Sequence, residues 1–550
     1  MSSSNQKHLK FYEKLIERGI KKANNKDFII AEEFFLKAIK LDDKNQMAYI
    51  NLSNIYIIQK KIKKAVKILM DYIHRFKNNE MILNHTAKFL YTYNLKDDLL
   101  ELFNETKLNL IKNNNKNYYL YFIQGLYLEK EENYQSAKES FLKSISYNKT
   151  YFEGYIKLLD LYEQTNEINN LNKLIKKAFV NFYNQDKISI LLFYKSLLFS
   201  REKKFKDSQK LIIENNLRSK LKNSKNFFYK LLDLEAKNNE KLKNYNLAFQ
   251  NIKERNNILL NISENKNFDG KNIYYSIEKY KKFFTRRNLE KIHSKINYQN
   301  DENLVFLIGF PRSGTTLLDS ILRSHSEITV LEEKPYLLNL RHVFFKQNEN
   351  DLSSLLNITQ EIRDKIRNEY FNKIFSEIDK NRRIIVDKFP LTIIELGFVK
   401  CIFPNAKIIL AMRHPCDVVT SCFFSSLKIN DAMVNFLSWS TTIQFYNKVF
   451  DLFEFYSNEM NLNFITIKYE DLILNFKKNV LMMTKYLGLE YESNMENFFI
   501  TAKNRSRIST PSYSQVINPL YKTSINRWKN YPNTHETQKK LYKWIKKFNY

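Results

Sequence analysis

All eight prolines of this 550-residue chain lie at Pro311 or later, and only Gly19, Gly125 and Gly154 of its eight glycines precede residue 270. Proline removes a backbone donor and clashes with the preceding helical turn, so a long proline-free stretch leaves helices unbroken. Apolar residues recur there at i, i+3, i+4 and i+7, the stripe of helices that pack on one face. Residues 1–265 are therefore expected to be all α. The second half holds every proline and all three tryptophans, Trp439, Trp528 and Trp544. A chain of this length should divide into two to four domains at about 150 residues each, and these two compositions give the first division.

The helical half also repeats. In AEEFFLKAIKLD, Ala31 is followed by Phe35 and Ala38, and Ala65 stands 34 residues after Ala31. Gly125, Leu128, Ala137, Phe141 and Ser144 repeat the alternation of small, large and aromatic residues, and Ala178 follows Ser144 by 34. Looser copies surround Ser208 and Ala248, and residues 80–115 match poorly. This spacing resembles the tetratricopeptide repeat, in which small residues let the two helices of a unit approach closely. The resemblance implies a solenoid whose concave groove binds a polypeptide or partner protein. Residues 266–302, with many aromatic and basic residues, read as a helical connector.

From residue 303 the pattern changes. NLVFLIGF, RRIIVD (382–387), AKIILAM (406–412) and NFITIKY (463–469) are short apolar runs bounded by turn residues, and each reads as a buried strand. Helical patterns separate them, which predicts a parallel sheet with helices on both faces over residues 303–550. The expected class is thus α followed by α/β: a tetratricopeptide-like solenoid, then a P-loop-type parallel sheet domain.

Composition narrows the function classes. Hydrophobic residues make up 43% of the chain, with 42 Phe and 35 Tyr, so it can bury a core rather than remain disordered. Sixteen Gly and Pro together are too few for a turn-rich all-β protein. The net charge of +30 is spread along the chain rather than gathered in one stripe; no nucleic-acid partner is expected, and a basic pocket for a small anion stays open. No long uncharged apolar run and no leader-like start are present, so neither a transmembrane segment nor a signal peptide is expected, and the location reads as cytoplasmic. Cys401, Cys416 and Cys422 match no metal-ligand spacing and read as reduced structural thiols.

The strongest local signal is FLIGFPRSGTTLLDSIL. A strand ends at Phe310, the loop Pro311–Gly314 follows, and a helix opens at Thr315. Such a turn is a phosphate cradle: Gly314 lets the backbone approach, the first helical amides point at the anion, and Thr315 and Thr316 add hydroxyls at the positive helix end. Gly309 and Gly314 have the Walker spacing, but Thr315 stands where an NTPase needs Lys. The positive charge sits in the loop, on Arg312.

These residues resemble the sulfotransferases that use 3′-phosphoadenosine-5′-phosphosulfate (PAPS), most closely the tetratricopeptide-sulfotransferase proteins and the protein-tyrosine sulfotransferases, over roughly residues 300–535. The resemblance implies that Arg312, Ser313, Gly314, Thr315 and Thr316 hold the 5′-phosphosulfate. MRHPCDVVTS supplies the family's Arg followed eight residues later by Ser, so Arg413 and Ser421 would hold the 3′-phosphate. In VLEEKP, Glu333 lies 21 residues after Arg312 and matches the general base; Lys388 in VDKFPLT matches a lysine that stabilises charge on the transferred group. KYEDL and the later SYSQVINPLYKTSINRW place Tyr469 near the adenine, Ser512 near the sulfonate and Arg527 near the 3′-phosphate. His325 and His414 read as structural. The implied reaction moves a sulfuryl group to a hydroxyl of a protein tyrosine, a sugar or a small molecule, leaves 3′,5′-ADP and needs no metal. Two alternatives stay open: a non-catalytic repeat scaffold with a degenerate nucleotide domain, and a kinase or NTPase using the cradle for ATP.

Overall fold

Non-glycine residues with positive φ mark the architecture of the helical half in a computed structural model, which describes residues 3–76, 79–113, 117–262, 265–294, 303–349, 351–378, 382–503 and 516–550. Lys26, Lys60, Asn94, Glu132 and Asn166 all take φ between 56° and 65°. Each closes the turn between two antiparallel helices, the first pair being Ser3–Asn24 with Phe28–Leu41 and the fifth Phe152–Gln164 with Ile168–Asn181. A left-handed residue costs about 1–2 kcal/mol away from glycine, which the packing of the hairpin it closes must offset.

That packing follows the small-residue positions. A Cβ on Gly19 would lie 2.6 Å from the Phe35 ring, and one on Gly125 would lie 2.5 Å from Phe141. The matching positions of the second and third hairpins, Ser53 and Ala87, are fully buried. Residues 80–113, which match the repeat poorly in sequence, form the same hairpin, Glu80–Thr92 with Lys96–Asn113. Leu99 and Thr106 stand there in place of the small Ala31 and Ala38 and are buried all the same, so the helix pair persists while its alanine signature does not.

By compactness the chain divides at Leu198/Phe199. The second unit, Phe199–Tyr550, contains further helices, including the hairpin Lys225–Lys241 with Tyr245–Leu260, and a five-stranded parallel sheet. Its strands are β1 (Leu304–Gly309), β2 (Ile328–Glu332), β3 (Ile384–Lys388), β4 (Lys407–Met412) and β5 (Phe464–Lys468), in the order β2-β3-β1-β4-β5. Alternation along the strands feeds two cores. Phe306, Ile308, Ile408 and Leu410 face one, with Tyr370, Phe398, Tyr446 and Trp544. Val305, Leu307, Ile384, Val386 and Ile409 face the other, with Leu318, Leu322 and Met483. β2 was not expected as a strand: ITVLE is five residues long, carries Thr and Glu, and lies at the sheet edge hemmed in by charge, Glu327 before it and Glu332 to Lys334 at its end.

The connector belongs to this unit's core. Ile277, Tyr280, Phe284, Leu289 and Ile292 are buried in the first cluster, Tyr280 donates to Glu395 at 3.0 Å, and the Phe284 ring fills the space above Gly397. Among the described residues no helix is long and apolar enough to cross a membrane.

Candidate functional site

Each parallel strand ends at the same edge of the sheet, and a residue singled out in the sequence follows each one: the Phe310–Gly314 loop after β1, Glu333 after β2, Lys388 closing β3, Arg413 after β4 and Tyr469 after β5. The order in which the chain adds strands reverses between the neighbouring parallel strands β1 and β4, with β2 and β3 on one side and β5 on the other, which opens a crevice at their carboxyl ends. Arg312 and Arg413 stand on its two sides.

The cradle is built from strain and burial. Gly314 takes φ +103° as the N-cap of the helix Thr315–Arg323, and a Cβ there would lie 3.1 Å from Cδ2 of Tyr469. Arg312 itself takes φ +72°, a conformation that a non-glycine residue keeps only where its surroundings fix it. Its Nε donates to Ser421 Oγ at 3.0 Å, and Arg413 Nη1 donates to the Arg312 carbonyl at 3.4 Å. Burial, and then the nearby charges of Arg413 and Arg527, lower the Arg312 guanidinium to about 10.

Arg413 is oriented from three directions. Its Nη2 donates to the Ser524 carbonyl at 2.5 Å, Asp417 Oδ2 lies 4.0 Å away, and its guanidinium lies 4.9 Å from the centre of the Tyr469 ring. The helix Pro415–Phe423 follows, with Pro415 at its first turn and the His414 ring accepting from Cys416 N at 3.2 Å. Burial lowers the His414 pKa, which suits an accepting neutral ring. His325 likewise has a structural partner, the Glu490 carbonyl at 2.9 Å from Nε2.

Glu333 continues the β2–β3 ladder through its amide, 2.8 Å from the Lys388 carbonyl, and then turns with φ +48°. The side-chain ammonium of Lys388 is fully buried, 2.9 Å from Glu333, 3.5 Å from Glu332 and 3.9 Å from Asp319. Three carboxylates around one buried cation fix the Glu333 head group at the pocket edge.

One pocket brings together Arg312, Gly314, Thr315, Thr316, Glu333, Arg413 and Tyr469, closed by Tyr521 and Ser524. Ser313, Ser421, Lys388 and Arg527 do not line it. Ser313 packs beneath Gly309, Ser421 braces Arg312, and Lys388 sits behind Glu333. Arg527 donates to Glu240 through Nε at 2.5 Å and Nη2 at 2.9 Å, and to the Tyr531 hydroxyl at 3.2 Å. Burial would lower that guanidinium, but Glu240 outweighs it and holds the pKa above its ordinary value. Ser512 lies outside the described residues.

Sequence reasoning missed Asp417. Its buried carboxylate accepts from Asn526 N at 2.8 Å and Trp528 N at 2.9 Å, tying the closing segment to the helix behind Arg413. An acid in a first helical turn reads from sequence as dipole compensation, which hides such a partner. Cys422 was read as a structural thiol; burial raises it to values far from titration near neutral pH, and it donates to the Pro311 carbonyl at 3.2 Å, pinning the loop.

An anion fits these donors. Arg413 Nε is buried without a hydrogen-bond partner among the described residues, which is costly unless something arrives to accept from it. Gly314 leaves backbone exposed at a helix N-terminus, and the crowded guanidinium of Arg312 is relieved by negative charge.

Residues 305–493 match the Sulfotransferase family. Protein-tyrosine sulfotransferase 2 of Gallus gallus is 22% identical over 247 residues, 43% of this chain and 66% of its own length. Protein-tyrosine sulfotransferase A of Caenorhabditis elegans is 25% identical over 252 residues, 44% of this chain and 64% of its own length. Among solved structures, the sulfotransferase domain from the Synechococcus PCC 7002 olefin synthase covers 46% of this chain and 98% of its own, at 20% identity and a TM-score of 0.34. The chain thus spans less than two thirds of the length of these two curated relatives.

Proposed function

We propose that this protein is a sulfotransferase that takes its sulfuryl group from PAPS and delivers it to a hydroxyl acceptor, releasing 3′,5′-ADP. The observation that carries this reading is the convergence of two arginines, a glycine-opened helix N-terminus and one carboxylate on a single pocket, within the segment that matches the family. PAPS would supply an activated sulfuryl group on a good phosphate leaving group. Arg312, the amides at Gly314–Thr316 and the Thr315 and Thr316 hydroxyls would bind the 5′-phosphosulfate. Arg413, oriented by Asp417 and the Ser524 carbonyl, would bind the 3′-phosphate, with Ser421 holding Arg312 in register. Arg527 adds positive potential to this clamp while its head group stays with Glu240.

Glu333 would accept the acceptor's hydroxyl proton, a contribution of about 10²- to 10⁴-fold in rate. Lys388 acts on Glu333 rather than from the pocket lining, keeping the carboxylate aimed by a buried ion pair. Guanidiniums and helix amides fixed before reaction offset charge developing on the departing phosphate without reorganisation. Tyr469, between Gly314 and Arg413, would form the wall near the adenine. A Walker-type NTPase would need a lysine at position 315, and Thr315 is there.

The hydroxyl acceptor is a polypeptide on this reading, gathered by the tetratricopeptide-like hairpins, which commonly present a peptide-binding surface. The test is calorimetry of the full chain with 3′,5′-ADP and with ATP, followed by transfer of labelled sulfuryl from PAPS to proteins of a cell lysate. Binding of 3′,5′-ADP with weaker ATP binding and label on protein is the expected result. Equal binding of both nucleotides, or none of 3′,5′-ADP, overturns the assignment.

A further inference from the structure

The helix that carries Ser421 ends against a buried arginine from the helical hairpin Lys225–Leu260. Arg255 is fully buried. Its Nη2 donates to the carbonyls of Phe423 and Ser425, both at 3.1 Å, and its Nη1 to the Phe424 carbonyl at 3.2 Å and Ser426 Oγ at 2.9 Å. A helix leaves its last carbonyls unpaired, and here one guanidinium from another element satisfies them at the C-terminus of Pro415–Phe423. Asn256 adds a donation to the Phe423 carbonyl at 3.2 Å and accepts from Arg255 Nε at 3.0 Å. Asp233 balances the charge: burial would raise its pKa, but Arg255 and Lys237 outweigh this and lower it.

The same hairpin meets the closing segment. Phe249 stacks on Phe423 with ring centres 5.3 Å apart, and Tyr245 meets Tyr531 edge-on at 5.7 Å. Ala236, Ala248, Phe249, Ile252, Phe423 and Tyr531 form one buried cluster, while Glu240 holds Arg527. Arg413 therefore stands just before, and Ser421 within, a helix fixed at its start by the sheet and at its end by this hairpin.

We propose that Arg255 is a positioning residue for the nucleotide clamp: by holding the carbonyls of Phe423–Ser425 it sets the placement of Ser421, hence of Arg312 opposite Arg413, and makes the Lys225–Leu260 hairpin part of the transferase site. This deepens the PAPS reading above and rests on it. Arg255→Lys keeps the charge but loses the planar fork that spans successive acceptors, so the helix end loosens. The same helix carries Asp417, 4.0 Å from Arg413, so its loosening reaches the arginine that would bind the 3′-phosphate as well as the one that would bind the 5′-phosphate, and 3′,5′-ADP should lose more affinity than a nucleotide without the 3′-phosphate.

The test compares affinities of the full chain for 3′,5′-ADP and for 5′-AMP, which lacks the 3′-phosphate, by calorimetry. The wild-type chain should prefer 3′,5′-ADP. In Arg255→Lys that preference should fall by about tenfold, as for loss of a hydrogen bond to a charged group. Asn256→Ala, a milder change to the same network, should reduce it by a smaller factor and serves if Arg255→Lys does not fold. Asn238→Ala is the control: buried in the same hairpin and bonded to Ser208 at 2.8 Å, it should lower the melting temperature and leave the preference unchanged. Wild-type preference in folded Arg255→Lys or Asn256→Ala, or an equal loss in Asn238→Ala, overturns the positioning role. A wild-type chain that does not distinguish the two nucleotides overturns the PAPS reading itself, a separate outcome.

Discussion

Arg312→Met separates an arginine kept for an anion from one kept for structure. The guanidinium titrates at about 10 rather than at its ordinary 12.5, through burial first and then through Arg413 and Arg527. At 1.36 kcal/mol per unit this is an unfavourable term of about 3 kcal/mol. Part of Arg312 remains exposed at the pocket, where water screens the charges, so about 1–2 kcal/mol is the expected remainder. The folded value lies below the unfolded one, so at neutral pH the charge opposes folding, and the opposition fades only as pH rises from about 10 towards 12.5. Methionine removes this term together with the bond to Ser421, whose loss costs about 1 kcal/mol. The variant without ligand should therefore match the wild type or exceed it by up to about 1 kcal/mol, where loss of a structural cation would cost about 1–3 kcal/mol. Urea and thermal unfolding of the full chain, with and without 3′,5′-ADP, measure both effects. Ligand at about 100 times Kd should add about 2.7 kcal/mol to the wild type and little to the variant. A variant destabilised by about 2 kcal/mol or more without ligand, or one that keeps the full response, would refute this account.

Three further outcomes follow from the same geometry. Glu333→Gln should retain 3′,5′-ADP affinity and lose turnover by about two orders of magnitude or more, read by label transfer and calorimetry; damage from Glu332→Gln instead would move the base by one residue. Gly314→Ala places a Cβ at φ +103° and 3.1 Å from Tyr469, so melting should show a loss of about 1–3 kcal/mol together with weaker 3′,5′-ADP binding. Asp387, on β3 beside Lys388, is raised to about 7, chiefly by burial. Its folded pKa exceeds its unfolded one, so stability is lost as pH rises through the interval from about 4 to about 7 and stays lost above it. Asp387→Asn should therefore gain on the wild type across that interval in urea midpoints, and a gap independent of pH would contradict the assignment.

Much of the fold was legible because period and punctuation are local. Strands β1, β3 and β4 read as short apolar runs because both sheet faces are covered there, leaving no polar alternation to confuse them, and β5, half-buried at one edge, still reads through Phe464, Ile465 and Ile467. β2 escaped because its five residues are hemmed in by charge, Glu327 before it and Glu332 to Lys334 at its end. The third hairpin was obscured by its packing: Leu99 and Thr106 fill volume that alanines leave open in its neighbours, so the shape repeats while the residue types do not. Turn residues carried the period instead, since Lys26, Lys60 and Asn94 follow one another at 34 residues in the same left-handed conformation.

The pocket was legible for a different reason: parallel strands deliver their carboxyl ends to one edge, so motifs far apart in sequence meet without any pairing code between them. That rule brought Arg312, Glu333, Arg413 and Tyr469 together. It could not say which side chains face the pocket and which brace it from behind, and Lys388 and Ser421 fall in the second group because their partners are Glu333 and Arg312. Arg255 lay further out of reach. An arginine that binds carboxylates leaves acids elsewhere in the sequence as a clue, but one that binds main-chain carbonyls places no demand on the residue types of its partners. Phe423, Phe424 and Ser425 could be other residues and still accept from it. Support for a binding site that runs through backbone is therefore visible only once the chain is folded, and the helical hairpin supplies that kind of support to the clamp.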